Sequence, residues 1–183
     1  MTTDTAQAPV VVLNATAGPL LYLENALPLP VAPDATVADA DSAHFDGGNL
    51  TVSIAGGTGD DRLDLPTAGR VRVSGSNVIY GGTIPLSYRV IGTYAGGEGS
   101  EPLVILLDSD ATQQAVQVLA RAVRYSNVSD NPSTDPRIVQ FVLTDEDGQV
   151  SDPATRQLEV TAVNDPPEIT SVPPTNDPPV KDA

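Results

Sequence analysis

The clearest signal along the chain is a two-residue alternation of apolar and polar positions, carried in short stretches separated by turn residues. Leu50-Thr-Val-Ser-Ile54 alternates as a strand with one buried face should. Arg70-Val-Arg-Val73 and Asn77-Val-Ile-Tyr80 do the same and flank Ser74-Gly75-Ser76, a hairpin signal. Leu86 to Tyr94, Leu103 to Leu107, Ile138 to Leu143 and Gln157 to Val163 bring the set to about eight strands. Pro9 to Leu13 reads as a lead-in strand. Leu20 to Leu29 is apolar but broken by Asn25 and Pro28, with Pro30 just beyond, so it suits a sheet edge, where a missing N–H is tolerated. Val37 to Gly48 is acidic and rich in turn residues. Strands this short and this regularly interrupted predict an all-β, antiparallel sandwich.

One stretch departs from the alternation. Ala115, Val118, Leu119, Ala122 and Val123 recur at helical spacing in a segment without Gly or Pro, behind the candidate N-caps Ser109, Asp110 and Thr112. A short helix over 111–123 is expected, with Leu119 in the core, closing one end of the sandwich. From Asn164 the chain turns Pro-rich, and Asn-Asp-Pro-Pro occurs at both 164 and 176. The predicted organisation is a lead-in segment over 1–18, a sandwich domain over 19–163, and a stiff interdomain linker over 164–183.

Composition narrows the chemistry. The 183 residues carry 24 Asp and Glu against nine Lys and Arg, for a net charge of −15, with no Cys, no Trp and one His. Thiol nucleophiles, thiolate zinc sites and iron–sulfur clusters are excluded, and nine dispersed basic residues do not make a nucleic-acid surface. Asp outnumbers Glu by 18 to 6, which favours turns, caps and hard-cation sites over helix surfaces. No stretch matches a membrane span, so direct membrane insertion is not expected. The first residues lack the basic and apolar regions of a signal peptide, which leaves a cytoplasmic protein or a piece of a longer exported one.

The acids fall into motifs. Glu24-Asn25 stands near the start of the domain, Asp39-Ala-Asp41 follows, Asp145-Glu-Asp147-Gly148 lies between two late strands, and Asn164-Asp165 opens the linker. Calcium takes six to eight oxygens from carboxylates, amides and carbonyls, and an Asp-x-Asp pair on an irregular loop can offer two carboxylates to one ion. For Asp39 and Asp41 the ligand reading is preferred, because two carboxylates on one loop otherwise repel. Asp145 and Asp147 suit a ligand role and a four-residue hairpin turn equally well. Asp108 and Asp110 read as caps. Gly56-Gly-Thr-Gly-Asp-Asp-Arg-Leu-Asp64 fits one calcium β-roll nonapeptide, but a β-roll needs stacked copies and this one has none, so a Gly-rich loop entering a strand is preferred.

The order of these pieces resembles a cadherin-like repeat of large bacterial surface and RTX-type adhesins. The resemblance rests on Tyr22-Leu-Glu-Asn25, Val37-Ala-Asp-Ala-Asp-Ser42, Asp46-Gly-Gly-Asn-Leu-Thr-Val-Ser-Ile54 and Leu119-Ala-Arg-Ala-Val-Arg-Tyr-Ser-Asn127. It continues through Asn131-Pro-Ser-Thr-Asp-Pro136, Phe141-Val-Leu-Thr-Asp145 and Val160-Thr-Ala-Val-Asn-Asp-Pro-Pro167, covering most of 20–168. It implies a Greek-key-like (cadherin/Ig-like) sandwich with Ca²⁺ at its ends, held by Glu24, Asp39, Asp41, Asn164 and Asp165. It also implies neighbouring repeats of the same chain as partners, an extracellular or cell-surface location, and a cell-surface or matrix ligand for any adhesive face. The family's Asp-Arg-Glu triplet is absent, and Asp61-Arg62-Leu63 does not supply it.

Two other readings stay open: a carbohydrate- or ligand-binding sandwich, and an acidic spacer without calcium. Seven aromatic residues and no Trp speak against the first. An enzyme is not expected. His44 has no serine in a nucleophile-elbow context beside it, and nothing pairs a buried acid with a partner at fixed spacing. Asn14, Asn49 and Asn127 begin glycosylation sequons that matter only in a eukaryotic secretory host.

Overall fold

The computed structural model describes residues 6–13, 18–81 and 87–166. The sequon at Asn14, the first residue of the predicted Leu86 strand, and the linker from 167 with its second Asn-Asp-Pro-Pro lie outside them. Within the described residues the strands are β1 (Val10–Val12), β2 (Leu20–Leu23), β3 (Leu29–Pro30), β4 (Thr36–Ala38), β5 (Asn49–Ala55), β6 (Asp61–Asp64) and β7 (Val71–Ser74). They continue with β8 (Asn77–Tyr80), β9 (Arg89–Ala95), β10 (Leu103–Leu107), β11 (Arg124–Asn127), β12 (Arg137–Thr144) and β13 (Ala154–Thr161). Among the described residues a single helix, α1 (Gln113–Ala122), precedes β11.

The expected all-β architecture is present. An eight-stranded sheet runs β2-β13-β12-β5-β10-β9-β8-β7, a three-stranded sheet runs β3-β11-β6, and β1 pairs with β4. Alternation decides which faces meet. Leu50 and Val52 of β5, Val139, Phe141 and Leu143 of β12, Leu63 of β6 and Tyr125 of β11 all point into one core that also takes Phe45, Ile91, Leu103 and Ile105. The β7–β8 hairpin closes at Gly75 and Ser76 with Ser74 opposite Asn77, and Gly75 takes the positive φ of 59° that such a tight turn needs.

The apolar run from Leu20 divides between the two sheets. Its first part, β2, is the edge of the large sheet, and its second, β3, is the edge of the small one, so Pro30 withholds its missing donor from no central ladder. Between them Asn25 adopts a φ of 61°, the left-handed conformation that Asn tolerates better than most residues, and the chain crosses from one sheet to the other there. β2 pairs with β13 in parallel, from Leu20 opposite Leu158 to Leu23 opposite Thr161, whereas the other strand pairings are antiparallel. A parallel partner needs a long crossover, and here nearly the whole domain lies between the two strands.

The helix starts where its cap predicts. Thr112 Oγ1 accepts from the Ala115 N–H at 3.2 Å, while Asp110 pairs with Arg89 and Asp108 accepts from the Asp110 N–H. Ala115, Val116, Leu119 and Ala120 are buried, with Val118 and Ala122 only half-buried, so the apolar stripe sits slightly off the predicted one. α1 packs against β4 and β7, and Gln113 Nε2 donates to the carbonyls of Asp39 and Ser42, both at 2.7 Å. Among the described residues no helix is long and apolar enough to cross a membrane.

Candidate metal centre at the linker end

The sandwich has two ends, and the acids divide between them. β12 runs antiparallel to β13, so the start of β12 shares an end with the close of β13, where residues 162–166 leave the sheet. The far end of β12 leads into the 145–149 turn, at the opposite end.

At the linker end, Glu24 follows β2 directly. Its N–H donates to the Thr161 carbonyl at 2.9 Å, and its Oε2 accepts from the Val163 N–H at 2.5 Å. The side chain is thereby pinned across the departing chain and is only 4% exposed. Its other oxygen, Oε1, is buried with no hydrogen-bond partner. Carboxylate oxygens of Glu24, Asp130 and Asp165 all lie within 4.8 Å of one another. Among the described residues this is the one place where three such side chains gather. Sequence reasoning anticipated Glu24 and Asp165 but missed Asp130. Asn164 turns its amide Nδ2 to the Asp165 carbonyl at 3.3 Å and stands beside the triad.

At the opposite end, Asp39 Oδ1 accepts from the N–H groups of Asp41 and Ser42, at 3.2 and 3.1 Å, while Asp41 Oδ2 accepts from the Gln7 N–H at 2.8 Å. Burial raises the Asp39 carboxyl above its ordinary range despite these donors, whereas the Gln7 N–H and the neighbouring Asp39 hold Asp41 low. Asp145 Oδ1 accepts from the N–H groups of Asp147 and Gln149, at 2.9 and 2.8 Å, which organises the hairpin turn. Asp39 Oδ2 and Asp145 Oδ2 are both buried and unpartnered. Three of the five buried unpartnered side-chain atoms among the described residues are thus carboxylate oxygens of Glu24, Asp39 and Asp145. A buried anionic oxygen without a donor is costly unless a cation meets it.

Beneath the triad lies a polar network absent from the motif reading. Asp61 and Arg137, both fully buried, form an ion pair with Arg137 Nε 2.9 Å from Asp61 Oδ2. Asp61 Oδ1 also accepts from the Tyr125 hydroxyl at 2.5 Å and Asn127 Nδ2 at 2.8 Å, and Oδ2 accepts from the Thr58 N–H at 2.6 Å. Burial pushes the Asp61 carboxyl up, but the donors from Tyr125, Thr58, Arg137 and Asn127 outweigh it and hold the group below its ordinary value. Burial and the bond to Asp61 drive the Tyr125 hydroxyl upward, so it stays protonated. The Gly-rich loop packs against this network: a Cβ at Gly57 would lie 2.9 Å from Ile54 Cγ2 and 3.1 Å from Asp61 Oδ2, so a larger residue there would crowd both side chains. Because β6 and β11 belong to the small sheet and β12 to the large one, the ion pair ties the two sheets together.

The triad's donors are carboxylate oxygens, which suit a hard cation. A concavity of about 540 Å³ includes His44, Arg70, Tyr80, Arg89 and Asp110 in its lining, but Arg89 is engaged by Asp110 and Arg70 by the Tyr80 hydroxyl, each at 2.8 Å. The Arg72 guanidinium lies over the Tyr88 ring, 3.7 Å from its centroid. Comparisons with protein-family models, with curated proteins and with solved structures find no match for this chain.

Proposed function

We propose that the chain is a calcium-binding, cadherin-like module of a bacterial cell-surface or secreted protein, serving as a calcium-stiffened spacer or adhesion unit between neighbouring modules of the same chain. The observation that carries this reading is Glu24: buried, pinned by one oxygen to the departing chain, and presenting an unpartnered Oε1 beside Asp130 and Asp165. Three mutually repelling carboxylates at this point favour a divalent cation with oxygen preference, and Ca²⁺ accepts the irregular geometry that Mg²⁺ resists. Water, Asn164 and a following module would complete the shell. An ion bound there joins β2, the 128–136 loop and the linker, so it stiffens the junction through which a neighbour is attached. The unpartnered oxygens of Asp39 and Asp145 at the other end suit the same use at the preceding junction.

Thermal melts of the chain in EDTA and in excess CaCl₂ test the reading. An ion at a hundred times its dissociation constant adds about 2.7 kcal/mol to the folded state. In a chain of this size that raises Tm by roughly 5–10 °C. Glu24→Gln keeps an acceptor for the Val163 N–H but removes the charge, so most of that rise should vanish while the melt in EDTA stays near wild type. A wild-type Tm that is the same in both buffers refutes calcium binding and leaves an acidic spacer. A full calcium response in Glu24→Gln removes the linker-end site.

A further inference from the structure

We infer that Tyr125, Asp61, Asn127 and Arg137 are positioning residues that set the loop carrying Asp130 in its ion-ready arrangement before any ion arrives; the inference rests on the calcium reading above. Asp130 sits in the loop over 128–136, and the buried network grips that loop at both ends. On one side, the Val128 N–H donates to the Asp60 carbonyl at 2.9 Å, and Asn127, held by Asp61, accepts from the Ser129 N–H at 2.9 Å. Ser129 Oγ in turn accepts from the Asn131 N–H at 3.1 Å, which brackets Asp130 between two bonded amides. On the other side, Arg137 Nη1 donates to the carbonyls of Ser133 and Asp135, at 3.0 and 2.9 Å.

The same core group reaches the Glu24 side. The Tyr125 ring meets Tyr22 edge-on with centroids 5.1 Å apart, and the Tyr22 hydroxyl donates to the Ala26 carbonyl at 2.7 Å, closing the turn that carries Glu24. Two tyrosines in contact thus underlie two of the three carboxylates. Holding like charges together in the absence of an ion needs a rigid floor, and a fully buried ion pair with five further donors and acceptors is such a floor.

Tyr125→Phe isolates the effect, because it deletes the hydroxyl that bonds Asp61 and keeps the ring against Tyr22. Calcium titration calorimetry should show affinity about tenfold weaker than wild type, the lower range for groups that orient metal ligands. Val139→Ala, a core truncation in β12 without a polar link to the loop, lowers stability but should leave affinity within twofold. Asn127→Ser supplies a second variant that loosens the Ser129 side of the loop and should weaken binding comparably. In calcium-free buffer, the Ser129 and Asn131 amides should exchange hydrogen faster in Tyr125→Phe than in Val139→Ala. Wild type that takes up no calcium refutes the calcium reading itself. Wild type that binds, with Tyr125→Phe and Asn127→Ser binding within twofold of it, refutes only the positioning role. Equal weakening by Val139→Ala, or unchanged amide exchange in Tyr125→Phe, refutes it as well.

Discussion

Removing one member of the Asp61–Arg137 pair is the sharpest stability test the fold offers. Both side chains are fully buried, and their partners are unequal. In Arg137→Met the Asp61 carboxylate keeps donors from Tyr125, Asn127 and the Thr58 N–H, and it has a second escape, since it can take up a proton. In Asp61→Asn the guanidinium loses its counter-charge, the amide leaves one acceptor oxygen for four donors and adds an Nδ2 donor among them, Arg137 Nη2 already has no partner, and arginine does not shed its proton. Breaking a buried pair costs about 3–5 kcal/mol, and Asp61→Asn is expected at the upper end with Arg137→Met at the lower. At roughly 2–4 °C per kcal/mol, the Tm losses span roughly 6–20 °C.

Urea melts followed by circular dichroism in EDTA, at neutral pH and for both singles and the double Asp61→Asn/Arg137→Met, supply the assay. The double should lose clearly less than the sum of the singles, because the second change removes the stranded charge left by the first, with a coupling of roughly 0.5–3 kcal/mol. Singles that each cost under about 1 kcal/mol, or that add without coupling, would refute a closed buried pair between the sheets.

The acid limb of stability follows from the same carboxylate. Its folded value lies below the ordinary 3.8, so its contribution is complete above that value and is lost as pH falls through the folded one. Acid titration of wild type should therefore show a loss below about pH 4 that Asp61→Asn lacks; parallel acid limbs in the two proteins would contradict it. At the helix start, Thr112→Ala deletes the acceptor of the Ala115 N–H and should cost about 1 kcal/mol in the same melts. A neutral effect would mean that the α1 packing, rather than the cap, fixes where the helix begins.

The strands that were legible in the sequence are those with four or more residues of alternation, such as β5, or with a run of large aliphatics, such as β10 and β12. Of the shorter ones β1, β7 and β8 were read, but β4 and β11 were not. β4 spans Thr36–Ala38 with one buried residue, Val37, and its stability comes from β1 and α1 rather than from any pattern of its own. β11 follows α1 with Val123 alone at the junction, so its Arg-Tyr-Ser-Asn reads as the fraying end of a helix. The parallel pairing of β2 with β13 was equally hidden, since strand direction in a sheet depends on contacts between segments more than a hundred residues apart.

The acids divide the same way. Asp39-x-Asp41 and Asp145-x-Asp147 were visible because their interactions are local: each leading Asp accepts from the N–H two residues on. Asp130 was not, because it becomes a neighbour of Glu24 and Asp165 only once β2, β11 and β13 are in place. The network beneath it spans 64 residues from Tyr125 to Asp61 and 76 from Arg137 to Asp61, beyond the reach of any spacing rule. Yet alternation did hold a trace of it. Arg137 shares the parity of Val139, Phe141 and Leu143, and Asp61 shares that of Leu63. A charge on the core-facing parity of a strand is costly to bury unpaired, and the facing sheet is where its opposite can be supplied. Arg137 is the one buried cation among the described residues, and Asp61 is a buried acid on core-facing parity within a strand, so parity joined to charge points to the pair that spacing could not.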